Sequence, residues 1–337
     1  MLRLTALASS LLLFSSAACS SGTSGGSGGG GGGCPDTPFL DIPQNYTLLV
    51  HDQINFFALD DTSIYAVTAS SSLMTIPKTG AGETMLAQGF GYESLSAAGP
   101  SVFLTAVEND VVLRVAKDGS SQTVIATNQM GSASPGQGAV AADDAHVYWL
   151  GEGQLPTIGA TPSMGFLRRS DPDGGKVVDL ATGLKVPTSV FVGGGFVYWA
   201  EQGSIGFNPA APPDGAVRRV PVAGGAVETL ASGLSGPVVR ARRDGFVWFS
   251  SGADLHRVAE SGGAPALMVK SGGVAVVGAS AVYWLETAGP HTVLLRSPLA
   301  GGCPAPIALV DGATGALAID AQNVYLNLTN TLVSVPQ

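Results

Sequence analysis

Seven times along the chain a branched apolar residue is followed directly by an aromatic one in the same local setting: Ile64-Tyr65, Val102-Phe103, Val147-Tyr148, Val197-Tyr198, Val247-Trp248, Val282-Tyr283 and Val324-Tyr325. These pairs recur about 43 residues apart on average, a period that belongs to arrays of like units rather than to one folded-over core. Three of the seven are extended to Val-Tyr-Trp, in "HVYWLGEGQ", "FVYWAEQGS" and "AVYWLETAG".

The surroundings of the pair repeat as well. A small apolar run such as "AVAA" or "ALAI" precedes it, separated by a turn of Asp or Gly; a third segment follows, usually with arginine, as in "VLRVAKDG", "AVRRVPVAGG" and "LHRVAESGG". The glycine turn that ends the third segment suits a tight hairpin, where positive φ is needed. A fourth segment reads "ETMLAQG", "VETLASG" or "PIALVDG". Four short strands per unit, with 47 glycines, 12% charged residues and no amphipathic helical pattern, predict an all-β, seven-bladed β-propeller, with six or eight blades as the alternatives.

The final unit stops at "TLVSVPQ", after its third strand. The first segment of the domain, "YTLLVHDQINFFALDDTSIYA", aligns with "PIALVDGATGALAIDAQNVYL", so residues 46–50 are expected to supply the missing fourth strand and close the ring. Closure would hide the two sheet edges that an open array leaves exposed.

The opening residues, "MLRLTALASSLLLFSSAACSS", carry Arg3, an apolar stretch from Leu4 to Phe14 and small residues up to Cys19. That is the layout of an export signal, too short to span a bilayer. Small residues before a cysteine resemble the lipobox of bacterial lipoproteins, which implies a signal over 1–19 and acylation of Cys19. Ser16 stands where the lipobox usually has Leu, and plain secretion is the alternative. Ser20 after the cysteine favours the outer membrane, facing the periplasm or the exterior. Residues 20–33, "SSGTSGGSGGGGGG", form a flexible tether with a root-mean-square span of ~20 Å, and 34–337 a single propeller domain. The remaining Cys34 and Cys303 read as one disulfide in an oxidising compartment, against two unpaired thiols.

The spaced "VYW", "LRRV" and "GG...TLA.G" elements, over roughly residues 45–337, resemble the YWTD and NHL class of propellers, and most closely the blades of secreted lipoproteins of myxobacteria and related bacteria. The class includes lactonases, peptide-binding modules and adhesion proteins, so the resemblance implies a fold more than an activity.

Most conspicuous side chains have an architectural use. The aromatics Tyr65, Tyr148, Trp149, Tyr198, Trp199, Trp248, Tyr283, Trp284 and Tyr325 are expected between blades, and Arg114, Arg168, Arg218, Arg257 and Arg296 to pair or snorkel there. Asp60, Asp61, Asp143, Asp144 and Asp320 fall where Asp caps a turn with its own carboxylate. The inner strands and their approaches offer Gln53, Asn55, Glu93, Gln137, Lys185, Thr188 and Arg240. One acid among them is thin for a channel cation, so no cofactor is expected, although calcium or another divalent ion stays open. The four histidines occupy unlike repeat positions and no nucleophile or phosphate-loop motif occurs. The net charge of −9, spread singly, argues against a nucleic-acid partner.

Long connections are where function is expected. They are "LGEGQLPTIGATPSMG" in blade 3, "AEQGSIGFNPAAPPDG" in blade 4 and "TNQMGSASPGQG" before blade 3, all on one face of a propeller. Glu152, Gln154, Glu201, Gln202, Phe207 and Asn208 are the candidate ligand-binding residues there. The expected function is a lipid-anchored, extracytoplasmic, non-catalytic binding scaffold for a protein, glycan or small molecule, with a channel-metal lactonase-type hydrolase as the alternative.

Overall fold

A computed structural model describes residues 42, 44–89, 91–106, 109–128, 139–151, 165–206, 212–270 and 274–337. Cys19, the tether, Cys34 and most of the three long connections lie outside these residues.

The described residues form seven four-stranded antiparallel sheets and no helix beyond one 3-10 turn at Gly203–Gly206. Six blades use four consecutive strands each. Blade 4 is typical, with Pro187–Gly193, Phe196–Glu201, Gly215–Pro221 and Glu228–Leu234 paired in sequence order. The first strand of every blade packs against the first strands of the blades on both sides, from Ile54–Leu59 of blade 1 round to Ala313–Ile319 of blade 7 and back. The ring is therefore closed around the inner strands.

Blade 7 contains Ala313–Ile319, Asn323–Leu328 and Thr331–Pro336, and takes its outer strand from Thr47–Val50 at the other end of the chain. Thr47 lies opposite Ser334 and Leu48 opposite Val333, so the expected closing strand is present.

The repeated aromatic pair lies on the second strand in every blade, and its side chains are almost wholly buried: Trp149 and Trp199 are 0% exposed, Trp248 and Trp284 2%. The core sits between blades rather than within one. Tyr65, Val67 and Leu73 of blade 1 pack with Tyr92, Val102 and Leu113 of blade 2, and Leu49, Tyr325 and Leu332 of blade 7 with Ile54 and Ile64 of blade 1. Both faces of a sheet are thus covered only when its neighbours are in place.

A hairpin with paired glycines joins the third and fourth strands in blades 3 to 6. Gly174-Gly175, Gly224-Gly225, Gly262-Gly263 and Gly301-Gly302 all have φ between 81° and 145°, which L residues rarely adopt. The first glycine of each pair donates its N–H to the carbonyl three residues back, as from Gly224 to Pro221 at 2.8 Å.

A second repeated device joins blade to blade. Asp60 Oδ1 accepts the N–H groups of Thr62 and Ser63 at 2.9 and 2.8 Å. Its Oδ2 accepts the Tyr65 hydroxyl and Lys117 Nζ of the next blade, both at 2.8 Å. Asp320 repeats the pattern with Gln322, Asn323, Tyr325 and Lys78. Asp143 caps Ala145 and His146 and accepts from Tyr148. The expected aspartate turns are therefore present at these three positions, and in two of them the carboxylate also takes a lysine from the following blade. Burial pushes the Asp320 carboxyl up, but Lys78, the two backbone amides and Tyr325 outweigh it and hold it at about 2. Tyr325 is correspondingly pushed up to about 12, first by burial and then by Asp320.

Two outcomes test this architecture. Leu49→Ala, at 7% exposed on the closing strand, should cost about 2–4 kcal/mol in urea unfolding, whereas Leu48→Ala, 42% exposed beside it, should cost under about 0.5 kcal/mol. Because the folded Asp320 carboxyl is lowered from 3.8 to about 2, its stabilisation is present above pH 3.8 and lost as pH falls towards 2. Lys78→Met should raise that carboxyl and move the midpoint of acid unfolding, followed by circular dichroism, to higher pH.

Candidate functional site

The candidate residues divide by where the structure begins and ends. Glu152, Gln154, Phe207 and Asn208 lie outside the described residues, as does Gln137. Glu201 and Gln202 are described, at the point where the blade 4 connection leaves the second strand.

Glu201 is 3% exposed, a rare condition for a glutamate and one that requires compensation. Its Oε1 accepts Trp199 Nε1 at 3.0 Å and faces Arg218 Nε at 3.1 Å, while Oε2 accepts the backbone N–H of Lys185 at 2.9 Å. Its carboxylate therefore ties the second strand, the third strand and the approach to the first strand into one knot. Gln202 is half-buried, and its backbone N–H donates to the carbonyl of Val186 at 2.9 Å.

The far end of the same connection is held as tightly. Asp214 accepts Ser204 N and Oγ at 2.5 and 2.8 Å and Lys185 Nζ at 3.2 Å. Burial is the largest single influence and raises its carboxyl, but the Ser204 and Lys185 bonds together outweigh it and bring the group below the usual range. Gly203, at φ 73°, lies so close that a Cβ there would sit 2.1 Å from Asp214 Oδ1. Strand ends, a 3-10 turn and two carboxylates thus clamp the neck of the connection, and what it presents emerges from a fixed base.

The tryptophan-to-glutamate contact has a sequence signature that reasoning on aromatic spacing missed. Trp-x-Glu occurs as "WAE" in blade 4 and "WLE" in blade 6, where Trp284 Nε1 donates to Glu286 at 3.5 Å. Blades 3 and 5 have Gly151 and Ser250 two residues after the tryptophan, and neither Trp149 Nε1 nor Trp248 Nε1 has a hydrogen-bond partner among the described residues.

The repeated arginines mostly serve the sheets. Each stands opposite the aromatic of the second strand, as Arg168 opposite Trp149, Arg218 opposite Trp199 and Arg257 opposite Trp248. Arg168 donates to Asp179 at 2.6 Å and stacks over Phe166; Arg257 stacks over Phe246. Arg114 reaches Asp173 of the next blade.

Inner-strand polar groups are spent on cohesion between blades. Ser94 and Ser96 of blade 2 accept the N–H groups of Val140 and Ala142 of blade 3, both at 3.1 Å. Thr188 donates to the Pro237 carbonyl and Ser189 accepts Val239 N–H, joining blades 4 and 5. Asn327 Nδ2 donates to Ile54 O at 2.8 Å, joining blades 7 and 1. Asn55, Glu93, Thr188 and Arg240 each fall where the inner-strand register slips by one residue, the mark of a β-bulge. Among the described residues, no three His, Cys, Asp or Glu side chains stand close enough together to hold a metal ion.

No protein-family model matches the chain, and no curated protein does. Solved structures do. A structure of YCF48 bound to D1 peptide is 14% identical at a TM-score of 0.58, covering 90% of this chain and all of that one. YCF48 from Cyanidioschyzon merolae is 12% identical at 0.58, covering 87% and 98%. The computationally designed Ika8 protein is 11% identical at 0.54, covering 88% and 100%. At such identities the likeness is one of fold: the chain has the architecture of a β-propeller, which fixes no activity.

The clamp around Glu201 gives a direct test. Glu201→Ala leaves Trp199 Nε1 and the Lys185 N–H without their acceptor and should cost about 2–4 kcal/mol in urea unfolding. Arg218, 35% exposed at its side chain, can turn to water, which keeps the loss below that of a fully buried pair. Glu201→Gln, which retains an acceptor, should lose less than half as much.

Proposed function

We propose that this chain is a non-catalytic binding scaffold, exported and held at the outer membrane by an acylated Cys19, with residues 20–33 as its tether. The observation that carries the reading is the clamped neck in blade 4. Buried Glu201 and the Asp214 bonds fix both ends of a long connection, a rigid mount of the kind that binding loops use. In this reading Glu152, Gln154, Gln202, Phe207 and Asn208 meet the ligand, and Glu201 holds their base. The propeller of YCF48 has been solved with a peptide bound, a use of the same fold that supports binding rather than turnover. A Cys34–Cys303 bridge would tie the tether end of the domain to the hairpin loop of blade 6. Cys303 is not a free thiol, in keeping with that pairing.

The combined variant Glu152→Ala, Gln154→Ala, Phe207→Ala and Asn208→Ala should unfold at the wild-type temperature and lose most retention of cross-linked envelope material. Unchanged retention would remove the proposed sector. Stoichiometric calcium or zinc in the purified protein would turn the reading towards a lactonase-type hydrolase.

A further inference from the structure

The outer strands form the rim of the propeller, and their pairing gives one equivalent pair of positions in every blade. Through blades 5, 6, 7, 1 and 2 the second of these positions holds Leu267, Pro306, Leu48, Met85 and Val124, opposite His256, Leu295, Val333, Met74 and Leu113. In blades 3 and 4 it holds Asp179 and Thr229, opposite Arg168 and Arg218. The first position is Ala266, Ala305, Thr47, Thr84 and Thr123 in the five blades; the other two blades carry Val178 and Glu228.

The five-blade arc thus has no acidic residue at either position, and four of its apolar side chains are strongly exposed: Leu48 42%, Met85 57%, Val124 50% and Leu267 54%. Asp179 and Glu228 sit in the remaining arc, paired with Arg168 and Arg219. Blade 4 adds one exposed apolar residue, Val227 at 39% beside Glu228. At the second position, however, the apolar residues run without a break only through these five blades, and a continuous stripe needs a reason where single exposed apolar residues do not. The position of the chain's start supplies one. The N-terminal segment joins the propeller at Thr47, on the outer strand of blade 7, the middle blade of the arc.

We propose that this arc lies against the lipid surface to which the chain is anchored, so that the propeller sits on its rim and turns blades 3 and 4 away from the membrane. The proposal rests on the acylation of Cys19. Four exposed side chains and a proline are too few to hold a free protein on a bilayer, and anchoring through the segment before Thr47 removes that requirement by keeping the rim at high local concentration. Acids on the arc would be repelled by anionic headgroups and would lose hydration at the interface. At the two rim positions acids occur only in blades 3 and 4, and those are the blades whose long connections need open access.

The test uses the acylated full chain reconstituted into vesicles of phosphatidylethanolamine and phosphatidylglycerol. An environment-sensitive dye is attached through Met85→Cys in one sample and through Thr229→Cys, the equivalent exposed site of blade 4, in another. Flotation reports the anchor, and a nitroxide on the lipid acyl chain reports contact. The expected result is flotation of both, with quenching of about half or more at position 85 and under about a tenth at position 229. Flotation with equal quenching at the two sites, or none at 85, overturns the arc and leaves the anchor standing. Failure to float overturns both.

Discussion

Every blade depends on its neighbours for burial, and that dependence organises the molecule. A four-stranded sheet whose two faces both carry Tyr, Trp, Val and Leu cannot be stable alone in water, since neither face has a solvent side. Its aromatic cores form only when the sheets on both sides are present, so the ring has no natural end. The chain has two ends nonetheless. Placing Thr47–Val50 beside Thr331–Pro336 converts the two loose edges into one more sheet like the others.

The polar side follows from the same geometry. Blades that pack through apolar faces leave hydrogen-bonding groups at the turns and along the inner strands, where they cannot be abandoned without cost. Asp60 and Asp320 answer this at the turns, each satisfying two backbone N–H groups, a tyrosine hydroxyl and a lysine from the next blade. Ser94, Ser96, Thr188 and Ser189 answer it along the inner strands, and Asn327 reaches from the second strand of blade 7 to the Ile54 carbonyl on the inner strand of blade 1. These small polar residues of the inner strands are therefore mortar between blades.

Much of this was legible in the chain because repetition amplifies weak signals. One Val-Tyr step says little; seven like it, five of them followed by an arginine strand and a glycine turn, specify strand number, blade count and closure. The bonds between unlike parts of neighbouring repeats were not legible. Nothing in the spacing of Asp60 and Lys117 places them together, because that contact depends on the angle between blades. Glu201 shows the other limit. Its place in a long connection suggested an exposed ligand group, whereas the one-residue difference between leaving a strand and entering a loop put it in the core beside Trp199. The Trp-x-Glu spelling was available, but a buried acid is uncommon enough that the sequence alone favours the surface.

The rim illustrates what register adds to repetition. Leu48, Met85, Val124 and Leu267 look unrelated in the sequence, since the segments around them differ and Leu48 lies on a strand that pairs with the far end of the chain. Strand pairing makes them equivalent, and equivalence turns scattered residues into an arc with a centre. A seven-fold scaffold has no inherent front or side; its blades become distinguishable only where substitution breaks the repeat. At the two rim positions the breaks fall in two groups, without acids in the five blades around the N-terminal strand and with Asp179 and Glu228 in blades 3 and 4. Under the proposed anchoring through residues 20–33, that division is sufficient to give an otherwise symmetric ring an orientation.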